Sequence, residues 1–193
     1  MPPANPLTAT DWINAALRAL RRGGVQAVRA EAIARDLKVS KGSFYWHFKD
    51  VKALKEAMLR HWSQHATEDV IGRVDASGDS GAGRLRRLVE LATSPGPQDE
   101  AAVEQAIRDW SRHEPAAADA VREVDQRRCA YVAALFVATG MGPRDSAVSA
   151  ELLYGGLIGL GYLGAARITD RRPALMLLLH LLLSSDGDRG DGR

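Results

Sequence analysis

The chain has 193 residues, of which 46% are apolar and 26% charged, a composition that excludes a disordered chain and suits a helical domain with a sizeable core. Its single cysteine, Cys129, excludes an internal disulfide framework and any multi-cysteine zinc or iron–sulfur centre. The formal charge of +2 hides an asymmetry, because residues 1–60 hold 11 Lys/Arg against 5 Asp/Glu and all five lysines (38, 41, 49, 52 and 55) lie close together.

In chain order, the opening segment MPPANP carries no basic run leading into an apolar one, so no signal peptide is expected and a soluble cytoplasmic protein is predicted. The first helix is predicted from Thr8, an N-cap whose capping box closes on Asp11 and whose staple joins Leu7 to Trp12. Ile13, Ala16, Leu17 and Leu20 follow helical spacing, and Gly23-Gly24 ends the element. A short helix follows over about 30–37, with Ile33, Ala34 and Leu37 inward, and a third over about 41–48. A fourth is predicted from about 50 to the mid-70s, and the Gly/Ser-rich stretch 76–83 then reads as a linker. Beyond it, helices are predicted near 84–94, 100–112, 115–139, 144–167 and 171–184. Their breaks fall at Pro95-Gly-Pro97, Glu114-Pro115, 140–143 and 170–173, and residues 186–193 read as a disordered tail. No alternating β-branched runs occur, so the predicted class is all-α. The expected division is a helix-turn-helix head over 7–66, with its motif at about 29–48, and a helical body over 67–185.

Segment 30–48 carries the chemistry. Two short helices joined by a turn, with the small Ala34 where they cross, describe a helix-turn-helix. With Phe44 and Phe48 inward at i, i+4, Gly42 and Trp46 point outward, Ser43 and Tyr45 lie to either side, and Lys41 and His47 stand on the flanks. Such a face suits a nucleic-acid groove. Glycine permits close approach, hydroxyls and imidazole reach phosphates, and Lys41 can reach guanine O6 and N7. Ser40 as N-cap leaves helix-start amides facing outward. For Trp46 and His47 a second reading stays open: packing on the fourth helix and bonding a local carbonyl, respectively.

The run from Val39 through Tyr45-Trp46-His47-Phe48 resembles the DNA-recognition signature of TetR-family transcriptional regulators. The spacing from Trp12 through Gly23-Gly24 to Ile33-Ala34 is similar to that family's three-helix head, so the resemblance covers about a third of the chain. It implies a dimeric regulator whose helical body binds a small molecule and thereby changes the spacing of two DNA-reading heads. It also implies Lys41 as a base contact, with Ser43, Tyr45 and His47 on phosphates and Trp46 on backbone or a thymine methyl. Arg29, near the start of the second helix, would reach a phosphate, and Gly42, Lys49 and Lys52 complete the expected DNA-binding set. Three departures from the family pattern stand out. Lys38 stands where a turn glycine is usual, Val51 where a basic residue opens the fourth helix, and Ala30 and Glu31 near a usual threonine and arginine.

The body is less specific. Segment 151–166 is apolar almost all round and rich in glycine, and 174–183 is apolar around its circumference, yet the charge-free stretches 152–166 and 173–185 fall short of the ~20 residues of a membrane span. No membrane partner is expected. A terminal helix of that kind needs cover on every side, which predicts a homodimer through helices 144–167 and 171–184 joined in a four-helix bundle. His180 reads as a core or interface histidine. Trp110, His113, Tyr131, Phe136 and Tyr154 are the candidate walls of a pocket for an apolar small molecule. No nucleophile–base motif, His-Glu-x-x-His or phosphate loop is present, so neither an enzyme, a metal nor a cofactor is expected. The predicted function is a repressor released from a palindromic operator by a ligand. The alternative is a DNA-binding dimer without an inducer, acting as an activator or through a protein partner.

Overall fold

A computed structural model describes residues 7–94, 100–163 and 170–184. The expected break at Pro95-Gly-Pro97, the end of the predicted 144–167 helix beyond 163, and the tail at 186–193 lie outside the described residues. The described elements are helical: α1 (Ala9–Gly23), α2 (Ala30–Asp36), α3 (Lys41–Phe44), α4 (Val51–Ser63), α5 (Asp69–Asp75), α6 (Gly81–Thr93), α7 (Glu100–Ser111), α8 (Pro115–Val137), α9 (Pro143–Tyr162) and α10 (Arg172–Ser184). Among the described residues, those in Met1–Gln64 and Gly96–Arg122 form one compact unit, and those in His65–Pro95 and Glu123–Arg193 form a second.

The first unit is organised on α1. The Thr8 side chain accepts from the Asp11 amide at 3.2 Å, and the Asp11 carboxylate accepts from the Thr8 amide at 2.7 Å, which closes the capping box read from sequence. Those bonds from the Thr8 amide and hydroxyl hold the Asp11 carboxyl below the usual carboxylate range. The helix ends at Gly24, whose φ of 67° places it in the left-handed region. Trp12, Ala15, Ala16, Leu17, Ala19 and Leu20 form the buried face. Helices α4 and α7 both pack on it. Segment 100–112 was expected in the body, but Val103, Ile107 and Trp110 are buried and their helix lies against α1. Trp62 of α4 donates its indole N–H to Glu104 at 3.1 Å, and Lys55 stands 5.9 Å from the centre of the Trp110 ring.

The single helix expected from about 50 to the mid-70s is instead α4, a π-helical turn over Gln64–Glu68, and α5. A π turn accommodates one extra residue, and side-chain bonds to its backbone compensate for the lost regular ladder. Here the Arg128 guanidinium donates to the Ala66 carbonyl at 3.1 Å and to the buried Thr67 hydroxyl at 3.0 Å. Periodicity could not show this, because the partner lies on α8.

In the second unit, α5, α6, α9 and α10 meet the later part of α8 around Val74, Leu85, Val89, Phe136, Leu153, Leu175 and Leu179. The expected linker 76–83 is shorter than its composition suggests, because α6 begins at Gly81 with Ser80 as N-cap, its hydroxyl accepting from the Gly83 amide. A Cβ on Gly81 would lie 2.8 Å from the Ala138 carbonyl carbon, so this glycine allows two backbones to approach. On α9, Gly156 likewise admits the Leu178 side chain of α10. Gly155 and Gly159 instead face open space, on a stripe with the exposed Val148, Leu152 and Tyr162. On α10, Leu177 and Leu181 are exposed, as is His180.

Candidate nucleic-acid interface

The α2–α3 segment is a helix-turn-helix hung on α1. Ile33 and Ala34 of α2 are buried, and α2 is tied to α1 by Asp36, which meets Arg18 at 3.2 Å and Arg22 at 3.4 Å. Partial burial raises the Asp36 pKa, but the two guanidinium groups outweigh it and the carboxyl titrates below its ordinary value. The turn is tight. Val39 donates to the Ala34 carbonyl at 3.0 Å, and Lys38 sits at φ 57°, the left-handed conformation that the usual glycine would adopt freely.

The third helix was expected over 41–48, but regular α structure stops at Phe44. Tyr45 donates to Gly42, and both His47 and Phe48 donate to Phe44, so the chain tightens into turns that still carry Phe48 back to the core. The predicted inward pair holds: Phe44 is fully buried and Phe48 nearly so. Phe44 meets Trp12 edge-to-face at 5.5 Å. That anchor decides which side chains are left outside. Trp46 is 88% exposed, which closes the reading in which it packs on the fourth helix, and Tyr45 is 55% exposed. Gly42 is exposed and Ser43 half-buried. His47 is half-buried with its ring 6.3 Å from Trp12. Ser40 occupies the N-cap position but makes no side-chain capping bond, so its hydroxyl does not satisfy the first amides of α3.

Arg29 is the exposed N-cap residue of α2, and Lys49 and Lys52 are exposed around the start of α4, where Asp50 caps by accepting from the Ala53 amide at 2.7 Å. Lys41 forms an ion pair with Glu31 of α2. The pair lowers the Glu31 pKa, chiefly through the Lys41 hydrogen bond, and raises that of Lys41 by the same bond, so both remain ionised around neutral pH. Glu31 is the residue that sequence reading passed over as a mere departure. No local spacing links it to Lys41, since the two meet only across the turn.

The five aromatic and histidine side chains expected around a ligand are divided between the units. In the first, Trp110 is buried in the core on α1 and α4, and His113 is exposed. In the second, Phe136 is fully enclosed in the core, Tyr131 packs against that core and donates to Asp75 at 2.7 Å, and Tyr154 donates to Asp125 at 2.6 Å. Arg128 donates to the Tyr154 hydroxyl at 3.2 Å. Arg128, Tyr154 and Asp125 thus form one linked polar cluster in this unit, of which sequence reading named only the tyrosine.

Among the described residues, no cluster of three or more His, Cys, Asp or Glu side chains could hold a metal, and no helix is long and apolar enough to cross a membrane.

Residues 13–59 match the family of bacterial regulatory proteins designated tetR. No curated protein matches the chain by sequence. In structure, the chain is similar to a transcriptional regulator from Rhodococcus sp. Rha1, at 18% identity, TM-score 0.75, and coverage of 93% of this chain and 97% of that one. It is also similar to a transcriptional regulator from Saccharomonospora viridis in complex with choline, at 22% identity, TM-score 0.73, and coverage of 95% and 96%. A third similar structure is the transcriptional regulator FadR from Bacillus subtilis in complex with stearoyl-CoA, at 14% identity, TM-score 0.69, and coverage of 92% and 98%.

Proposed function

We propose that this chain, whose residues 13–59 match the tetR family of bacterial regulatory proteins, is a homodimeric TetR-type repressor, released from a near-palindromic operator when its body binds a small molecule. The carrying observation is the face presented by Lys41, Gly42, Tyr45 and Trp46. Two large aromatics are left in solvent by a turn whose other aromatics are locked inward. Exposed aromatics flanked by Arg29, Lys49 and Lys52 are costly on a free surface and suited to a groove and its phosphates. In this reading, two heads set their α3 segments in successive major grooves roughly 34–36 Å apart.

The dimer reading is supported by the uncovered apolar stripe on α9 and by Leu177 and Leu181 on α10. Gly155 and Gly159 on that stripe would let a partner helix approach closely, which offsets the helix-forming cost of the glycines. The ligand reading draws on the complexes of the two structural relatives, with Arg128, Tyr154 and Asp125 of this chain as orienting groups and an apolar or amphipathic molecule as the effector class. A coupling of about 1–3 kcal/mol would weaken operator binding roughly 5–150-fold.

The deciding experiment is selection of bound duplexes from a random-sequence library, with Lys41→Ala/Tyr45→Ala in parallel. Enrichment of one inverted repeat by the wild type and none by the variant is expected. Unselective recovery by both would overturn the specific-regulator reading.

A further inference from the structure

The ion pair between Lys41 and Glu31 joins the first residue of α3 to the start of α2, on the face where Tyr45 and Trp46 are exposed. Both side chains are about half exposed, at 51% and 57%, so neither belongs to the core of the head. Exposed pairs contribute little to stability. An ionised carboxylate on a surface that meets a polyanion also repels every phosphate, and therefore weakens binding to all duplexes alike. What it can add is discrimination, because a carboxylate accepts hydrogen bonds and base edges differ in where they offer a donor.

The pair sets a donor beside an acceptor. One ammonium hydrogen of Lys41 goes to Glu31 and two remain free to donate, while the carboxylate, acceptor-only, keeps further lone pairs. In the major groove, a G·C pair presents N7 and O6 of guanine as acceptors and, next to O6, the N4 amino group of cytosine as a donor. Two acceptors followed by a donor is the complement of a lysine followed by a carboxylate. On an A·T pair, the second acceptor becomes the adenine amino group, and thymine O4, another acceptor, follows it. Lysine then loses one bond and the carboxylate stands near an oxygen.

We propose that Lys41 and Glu31 act together to read one G·C base pair in each operator half-site, Lys41 donating to guanine N7 and O6 and Glu31 accepting from N4 of the paired cytosine. This inference rests on the reading of the chain as a DNA-binding regulator. Glu31 also holds down binding to unrelated DNA. With its carboxylate gone, Lys41 is released to neutralise a phosphate.

The test measures binding of the full-length protein and of Glu31→Ala, Glu31→Gln and Lys41→Ala to the selected operator. Each G·C pair of a half-site is replaced in turn by A·T, and a random duplex is titrated over a range of salt. For the wild type, one position should show a loss of roughly 5–150-fold on replacement. In Glu31→Ala and in Lys41→Ala the loss at that same position should shrink several-fold, with the other positions unchanged. Both Glu31 variants should bind the random duplex several-fold tighter, with a salt slope steeper by about one. Glu31→Gln, which removes the charge but keeps an acceptor oxygen, should retain more of the positional preference than Glu31→Ala. Unchanged penalties at every position in the Glu31 variants, on an operator that the wild type does select, overturn the base-pair reading alone. Failure of the wild type to select any duplex overturns it together with the regulator reading.

Discussion

At the scale of single residues, the turn between α2 and α3 shows what a departure from a family pattern costs. Lys38 occupies a left-handed conformation at φ 57°, where a side chain is disfavoured by about 1 kcal/mol relative to glycine. Lys38→Gly is therefore expected to raise the melting temperature by roughly 2–4 °C, read by circular dichroism. No gain would mean that the lysine side chain makes a compensating contact. Two exposed lysines of the first unit should behave differently if the proposed DNA contact holds. Lys41 lies beside the aromatic face and Lys52 on the first turn of α4. Lys41→Ala should reduce the ratio of operator to random-duplex binding. Lys52→Ala should weaken both equally and flatten the salt slope by about one. Equal losses on both duplexes for Lys41→Ala would remove it from base recognition.

At the scale of elements, close approaches and polar bonds between distant segments do the work that composition hides. Gly81 opens α6 against the end of α8, and a methyl there would meet the Ala138 carbonyl carbon at 2.8 Å. Backbone cannot step aside as a flexible side chain can, so Gly81→Ala is expected to cost about 1–3 kcal/mol, measured by urea denaturation. A neutral outcome would show that the α6–α8 contact relaxes freely. Tyr131 ties α8 to Asp75 at the end of α5. Burial first, and then the bond to Asp75, push its phenol above the ordinary value. A folded-state pKa above the unfolded one means that the neutral hydroxyl stabilises the fold. That contribution is fully present below about pH 10 and is lost as pH rises through the folded value. Above about pH 10, and up to about pH 12, the melting temperature of the wild type should therefore fall more steeply than that of Tyr131→Phe, with the two parallel below that window; parallel curves throughout would show that the bond carries no linkage.

At the scale of the whole molecule, the uncovered stripe on α9 and the exposed leucines of α10 predict a second copy of the chain. Leu152→Glu and Leu181→Glu, both at exposed positions, should leave the monomer folded but shift sedimentation from dimer to monomer and abolish operator binding. Gly155→Ala separates the possibilities further, since a Cβ there meets nothing within 4 Å among the described residues. In an isolated monomer it should stabilise α9 by up to about 1 kcal/mol, whereas in a dimer packed through this stripe it should weaken association. A wild type that sediments as a monomer at all concentrations would remove the dimer and, with it, the palindromic operator.

Much of this architecture could be read from the chain because it depends on local chemistry. The capping box of Thr8 and Asp11, the glycine that ends α1, the inward pair Phe44 and Phe48, and the helical periods all involve residues within about one turn of each other. The exposed aromatic face followed from the same logic: with Phe44 and Phe48 locked inward at i, i+4, Tyr45 and Trp46 between them point out. What tertiary structure alone decided are contacts between residues far apart in sequence. The π turn at Gln64–Glu68 is bonded by Arg128, and the early start of α6 depends on space beside Ala138. The membership of α7 in the first unit comes from packing on α1, and the pairing of Glu31 with Lys41 from the crossing of α2 and α3. The reason is physical: a hydrophobic period says that a face is buried but not against what, and an ion pair or a close backbone approach is defined by the partner that folding brings to it.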